Sequence, residues 1–118
     1  GRWYLFDASG RMLTGWQVRN GQMYYLDGSG AMITGWLSWN GRWCYMNETQ
    51  DQYYGCLVCG HWLNRDGKTY YLDGVGYMAE GWYQVDGNWY YFYPGQGNKA
   101  VNTTIDTFYV NQQGIWVH

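Results

Sequence analysis

Short apolar clusters rich in aromatic residues recur along the chain at a near-constant interval, each bounded by glycine. Gly15-Trp16, Gly35-Trp36 and Gly81-Trp82 each open a unit, and Gly60-His61-Trp62 opens a variant, at spacings of 20, 25 and 21 residues. Each opening leads to an Asn-Gly or Asp-Gly pair: Asn20-Gly21, Asn40-Gly41, Asp66-Gly67 and Asp86-Gly87. An aromatic run follows: Met23-Tyr24-Tyr25-Leu26, Trp43-Cys44-Tyr45-Met46, Thr69-Tyr70-Tyr71-Leu72 and Trp89-Tyr90-Tyr91-Phe92. A second turn, such as Asp27-Gly28-Ser29-Gly30 or Asp73-Gly74-Val75-Gly76, leads to a closing Met32, Leu57 or Met78. Asn-Gly and Asp-Gly tolerate the positive φ values of a two-residue turn, so each unit predicts a β-hairpin and a connecting loop. No segment sustains a 3.6-residue period, and glycine recurs too often to leave room for a helix.

A lone hairpin is marginal in water. Stacking one hairpin on the next buries a continuous aromatic spine, and the expected fold is all-β, a solenoid of stacked β-hairpin repeats of about 20 residues each. The expected organisation is one repeat module over 1–118. It comprises a partial repeat at 1–14, repeats at 15–34, 35–59, 60–80 and 81–105, and a divergent terminal repeat at 106–118. Gly1-Arg2-Trp3-Tyr4-Leu5-Phe6, closing at Met12, is the aromatic strand of the first. Thr107-Phe108-Tyr109-Val110 with Gly114-Ile115-Trp116 is the last.

Composition sharpens this picture. The chain has 14 Tyr, 9 Trp and 3 Phe but few branched aliphatics, so flat rings carry most of the packing. Buried Tyr and Trp need partners for their polar atoms, which favours a thin extended layer over a deep core. Roughly half of the rings are expected to be purely structural. The net charge of −2 and the lack of a basic run argue against nucleic acid, although the rings are able to stack on bases. No apolar stretch approaches the ~20 residues of a membrane span. No leader is visible, and Gly1 reads as a domain boundary.

Catalytic constellations are lacking. The histidines are His61 and His118, and Ser9, Ser29 and Ser38 have no His and Asp partners in view. Asp66 and Asp73 sit at turns, where Asp is expected for backbone reasons. Asn47-Glu48-Thr49 and Asn102-Thr103-Thr104 match a glycosylation pattern too short to be specific. Cys44, Cys56 and Cys59 admit several readings: one disulfide from Cys44 to Cys56 or Cys59, three thiols, or a zinc site with His61. A redox role for Cys56 and Cys59 lacks its βαβ setting. No enzyme activity, cofactor or metal is assigned.

The pattern Gly-Trp…Asn-Gly-x-Trp-Tyr-Tyr-Leu-Asp…Gly-x-Met-x-Thr-Gly-Trp resembles the cell-wall-binding (choline-binding) repeats of Gram-positive bacteria and their phages. Gly15 to Trp36 carries it most clearly, through Gly21, Tyr24-Tyr25-Leu26-Asp27, Gly30, Met32 and Thr34-Gly35-Trp36. Related repeats occur in glucan-binding domains of streptococcal glucosyltransferases and in large clostridial toxins. The resemblance implies a left-handed solenoid and ligand sites between consecutive hairpins. It also implies a secreted, bacterial or phage-encoded, cell-wall-associated parent.

Each choline cage of the family takes the Trp of Gly-Trp, the strand Trp, a Tyr of the next hairpin and often the closing Met. Carried over, this implies complete cages at Trp36, Trp43 and Tyr71, with Leu57 for Met, and at Trp82, Trp89 and Tyr109. A cage of Trp16, Tyr45 and Met32 has Met23 in place of the strand Trp; one of Trp62, Tyr91 and Met78 has Thr69. A terminal site from Trp3, Met12 and Tyr25 lacks its Gly-Trp. The expected partner is choline-substituted teichoic acid, with self-association through an end hairpin as a possible homodimer. Two alternatives stand beside it. A surface glycan or glucan would stack on the same rings with Asn40, Gln84 and Asn88 bonding its hydroxyls. A structural or protein-interaction solenoid would bind no small ligand.

Overall fold

The computed structural model describes residues 4–117. It is all-β, with consecutive antiparallel hairpins and, among the described residues, no helix. No helix is therefore long and apolar enough to cross a membrane. The chain divides into two compact units, Gly1–Cys59 and Gly60–His118. The first holds the hairpins β1 (Gly15–Arg19) with β2 (Gln22–Leu26) and β3 (Gly35–Trp39) with β4 (Arg42–Met46). The second holds β5 (His61–Arg65) with β6 (Lys68–Leu72), β7 (Gly81–Val85) with β8 (Asn88–Phe92), and β9 (Thr103–Ile105) with β10 (Phe108–Val110).

The turns are set by local sequence. Asn20 and Gly21 take φ of 52° and 76°, both left-handed as a tight hairpin turn requires, and the pairs at 40, 66 and 86 repeat this. The last hairpin breaks the rule, because its turn is Asp106-Thr107, with φ of 48° and 77°. It therefore starts at Thr103, ahead of the 105/106 boundary read from the sequence, and Thr107 belongs to the turn rather than to the strand. Neither a Gly-Trp opening nor an Asp-Gly pair marks it. Left-handed backbone costs an L-residue about 1–2 kcal/mol, part of which glycine returns as unfolded-state entropy. Thr107→Gly is therefore expected to raise stability by about 1 kcal/mol in urea denaturation.

Counting outward from each turn fixes which rings oppose one another. Trp16 pairs with Tyr25, Trp36 with Tyr45, Trp62 with Tyr71 and Trp82 with Tyr91. Their ring centroids lie 5.1, 5.0, 5.1 and 5.2 Å apart. Strand side chains alternate between faces, so each hairpin has two unlike faces. In β7–β8, Trp82, Trp89 and Tyr91 share one face, and Tyr83, Tyr90 and Phe92 the other. The second face meets the preceding hairpin: Tyr83 lies 5.6 Å from Tyr71 and Tyr90 lies 4.9 Å from Trp62. The first meets the following one, through Trp82 and Phe108 at 5.9 Å. In the first unit, Trp16 and Tyr25 meet Trp39 in the same way, at 5.6 and 5.7 Å.

The innermost residues are not mainly aromatic, as a ring-built spine would have them. Leu26, Met46, Leu72, Phe92 and Val110, each the last residue of its strand, are fully buried. They bridge to Met32, Leu57, Met78, Lys99 and Trp116, the residue that closes each unit. Most Tyr and Trp are only half-buried, which leaves their hydroxyl and indole N–H groups within reach of water.

The loop between strand and closing residue is held by one acidic or amide side chain. The Asp73 carboxylate accepts from the backbone N–H groups of Val75, Gly76 and Tyr77 at 3.0, 2.9 and 2.9 Å. Asp27 and Asn111 do the same in their own units. At Asp7 such bonds, chiefly from Arg11 N–H and the Ser9 hydroxyl, hold the carboxyl below its ordinary pKa. Asp66 forms a surface ion pair with Arg65 at 3.1 Å.

The longer third repeat closes on itself: Asn47 N–H donates to Cys56 O and Gly55 N–H to Asn47 O, both at 2.8 Å. All three cysteines are thiols, Cys44 and Cys56 buried and Cys59 half-buried. The Cys56 thiol lies 3.2 Å from the Tyr24 hydroxyl; that bond, with burial, pushes the Tyr24 phenol up to about 12. No disulfide therefore pins the insert. Nor, among the described residues, do three His, Cys, Asp or Glu side chains gather to hold a metal.

Candidate functional site

The second unit contains a cavity of about 210 Å³ walled by four aromatic side chains, Trp82, Trp89, Phe108 and Trp116. Trp82 and Trp89 come from one face of β7–β8, with Trp89 opposite Gln84 in the ladder. Phe108 opens β10. Trp116 closes the terminal unit, and backbone bonds fix it there: its N–H donates to Trp89 O at 2.9 Å, and Val117 N–H donates to Tyr109 O at 2.9 Å. Phe108 stands edge-on to both Trp82 and Trp116, at 5.9 and 5.6 Å with interplanar angles of 86°. Such walls offer electron-rich faces and apolar contact, with no side chain built to donate or accept several directional hydrogen bonds.

The same backbone frame recurs at the junction before it. Lys99 N–H donates to Thr69 O at 2.8 Å and Ala100 N–H to Tyr91 O at 2.8 Å. Thr69 stands where Trp89 stands, Tyr90 where Phe108 stands, and Lys99 where Trp116 stands. In the first unit, Leu57 N–H donates to Met23 O at 2.8 Å, which places Trp16, Met23, Cys44 and Leu57 at the equivalent positions, with Trp39 of β3 against Trp16 at 5.6 Å.

The structure places the residues read from sequence as follows. Trp82 and Trp89 meet at the cavity, but its third wall is Phe108, and Tyr109 is not among the lining residues. Tyr91 pairs with Trp82 of its own hairpin, and it is Tyr90 that faces Trp62. Tyr45 pairs with Trp36 and donates to Glu48 at 2.5 Å, while Trp16 meets Trp39. At Trp82 and Trp62 the ring facing the junction is thus one residue before the one read from sequence, because adjacent strand residues point to opposite faces. Trp36 and Trp43 lie in the first unit and Tyr71 in the second.

The closing methionines pack against glycines of the following loops. Met78 is 2% exposed and sits where a side chain at Gly97 would stand. Met32 packs against Gly55 and lines a separate cavity with Leu5, Arg19, Tyr24 and Tyr54. Met12 packs against Gly30 in the same fashion; Trp3, its proposed companion, lies outside the described residues. Phe108, Trp116, Tyr90, Trp39 and Lys99 were missed. A signal for Tyr90 was present: Trp82 and Tyr91 are each four residues from their turn pair, which ties Tyr91 to its own hairpin and turns Tyr90 to the opposite face.

Tandem hairpin repeats with a ring-walled cavity where β7–β8 meets the terminal hairpin have the make-up of a binding repeat module. The choline-binding repeat matches residues 1–34 and 58–103, breaking off over the third repeat and its insert. Among solved structures, CbpJ of Streptococcus pneumoniae is 40% identical with a TM-score of 0.62, over 98% of this chain and 45% of that one. Choline binding protein F of the same organism is 42% identical with a TM-score of 0.52, over 99% of this chain and 44% of that one. The modular autolysin LytC of S. pneumoniae shares the fold at 24% identity and a TM-score of 0.52, over 97% of this chain and 31% of its own. No curated protein matches significantly. The chain belongs to the choline-binding repeat family, and it spans less than half the length of CbpJ and choline binding protein F.

Proposed function

We propose that the chain is a non-catalytic cell-wall-binding module. It recognises choline on teichoic acid and anchors a larger secreted protein whose catalytic or adhesive part lies elsewhere. The observation that carries this reading is the cavity of Trp82, Trp89, Phe108 and Trp116. A trimethylammonium group cannot donate a hydrogen bond and is recognised by ring faces, at ~0.5–2 kcal/mol for each well-placed ring. At about 210 Å³ the cavity is smaller than the ~300–1,000 Å³ typical of drug-sized ligands, which suits a headgroup better than an oligosaccharide. One such site is weak, and firm attachment then comes from several sites on one polymer.

Intrinsic Trp fluorescence, titrated with choline, with its neutral isostere 3,3-dimethylbutan-1-ol and with glucose oligomers, separates the readings. Choline is expected to give a saturable change, and the isostere to bind roughly tenfold more weakly because only the cation engages the ring quadrupoles. Equal binding of choline and isostere would defeat the charge-based reading. A response to glucan alone would favour a carbohydrate module, and no response to any of the three a structural one.

A further inference from the structure

The junction at Trp62 keeps the backbone of the cavity at Trp82 but exchanges two of its four walls. Thr69 replaces the strand tryptophan, and its hydroxyl is spent on Asn64 Oδ1 at 2.7 Å. Lys99 replaces the closing aromatic residue. Its side chain turns inward: Nζ lies 5.2 Å from the centroid of Trp62 and 5.6 Å from that of Tyr90. Both distances fall within the ~6 Å over which a cation is drawn to a ring face.

The ammonium is also anchored from two other directions. Nζ donates to Gln113 O at 2.8 Å, and the lysine stem lies where a side chain at Gly114 would stand, so the absence of a Cβ there makes room for it. Burial lowers the lysine pKa, the direction expected of an ammonium withdrawn from water. The rings at this junction are also closer together, 4.9 Å between Trp62 and Tyr90 against 5.9 Å between Trp82 and Phe108.

We propose that Lys99 is a built-in cation that occupies the Trp62–Tyr90 slot and keeps external quaternary ammonium groups out of it. The proposal rests on the reading of these ring junctions as quaternary-ammonium sites. A tethered ammonium competes at an effective concentration of ~millimolar or higher, enough to exclude a ligand whose single-site affinity is weak. Neighbouring junctions of one frame thus differ in occupancy: the Trp82 cavity is open to ligand, and the Trp62 slot is filled from within.

The test is site-resolved NMR of the chain, following the indole N–H signals of its nine tryptophans during titration with choline chloride. In the wild type, Trp82 is expected to shift saturably and Trp62 to stay still. In Lys99→Met, which restores the residue type found at Met32 and Met78, Trp62 should titrate, roughly tenfold more weakly than Trp82 because two walls are missing. Trp62 titrating alongside Trp82 in the wild type would overturn the proposal. So would a still Trp62 in Lys99→Met while Trp82 responds as before.

A second measurement needs no ligand. The chain has two lysines, Lys68 and Lys99, and ring currents should move the Lys99 ε-methylene upfield of that of Lys68. Loss of that shift in Trp62→Leu supports the placement, and coincident signals in the wild type refute it. A wild type in which no tryptophan responds to choline counts against the proposed function, while the lysine signals still decide where Lys99 sits.

Discussion

Trp89→Ala is expected to weaken choline binding at the Trp82 cavity about tenfold while leaving the thermal midpoint nearly unchanged, and Tyr109→Ala to leave the affinity as it was. One ring of four contributes ~0.5–2 kcal/mol to a bound cation, and 1.4 kcal/mol is a factor of ten. Trp89 suits the test because its side chain is 38% exposed and its cross-strand partner is a glutamine. Its carbonyl accepts from Trp116 N–H, and that bond survives truncation of the side chain. Trp82 is the poorer choice, because its ring packs on Tyr91 at 5.2 Å and its removal would disturb the hairpin as well. Fluorescence titration of the three proteins reads both arms. If Tyr109→Ala lost as much affinity as Trp89→Ala, the third wall would be Tyr109 and not Phe108.

That one-residue difference shows what the sequence makes legible and what it does not. Hairpins were readable because Asn-Gly and Asp-Gly between aromatic runs favour the two-residue turn locally, and the turns at Asn20, Asn40, Asp66 and Asp86 all form. The terminal hairpin was misplaced because Asp106-Thr107 makes the same turn without the glycine that signals it. The Gly-Trp and strand tryptophans were readable as cavity walls at Trp82 and Trp89 because both are large rings on one face. The third wall depends on which face of the next hairpin looks back, and that follows from register. A slip of one residue exchanges the two faces entirely. Lys99 was less visible still. Its position corresponds to Met32 and Met78, but nothing in the spacing indicates that its side chain folds onto the rings of the hairpin before it. The core differs for another reason: ring count suggests an interior of Tyr and Trp, whereas full burial goes to Leu26, Met46, Leu72, Phe92 and Val110, which have no hydroxyl or N–H to satisfy in their side chains.

Gly97→Ala is expected to destabilise the second unit by about 2–5 kcal/mol, the sum of a left-handed backbone penalty and overpacking. Gly97 has φ of 79°, and a Cβ there would collide with Sδ, Cγ and Cε of Met78. Methionine ordinarily yields to such pressure, but Met78 is 2% exposed and bridges to fully buried Leu72, so it has nowhere to go. Gly95 provides the control: its φ is 81°, yet nothing lies within 4 Å of the point where a Cβ would stand, so Gly95→Ala should carry the backbone penalty alone. The difference between the two variants in urea denaturation isolates the collision. Met78→Ala should then rescue Gly97→Ala in part, giving a favourable coupling energy in the double-mutant cycle, because the cavity left by the methionine accepts the new methyl group. Additive effects would mean that Met78 does not set the size limit at Gly97. Met78 would then be available for the cage role that its position in the repeat suggests and that its burial here opposes.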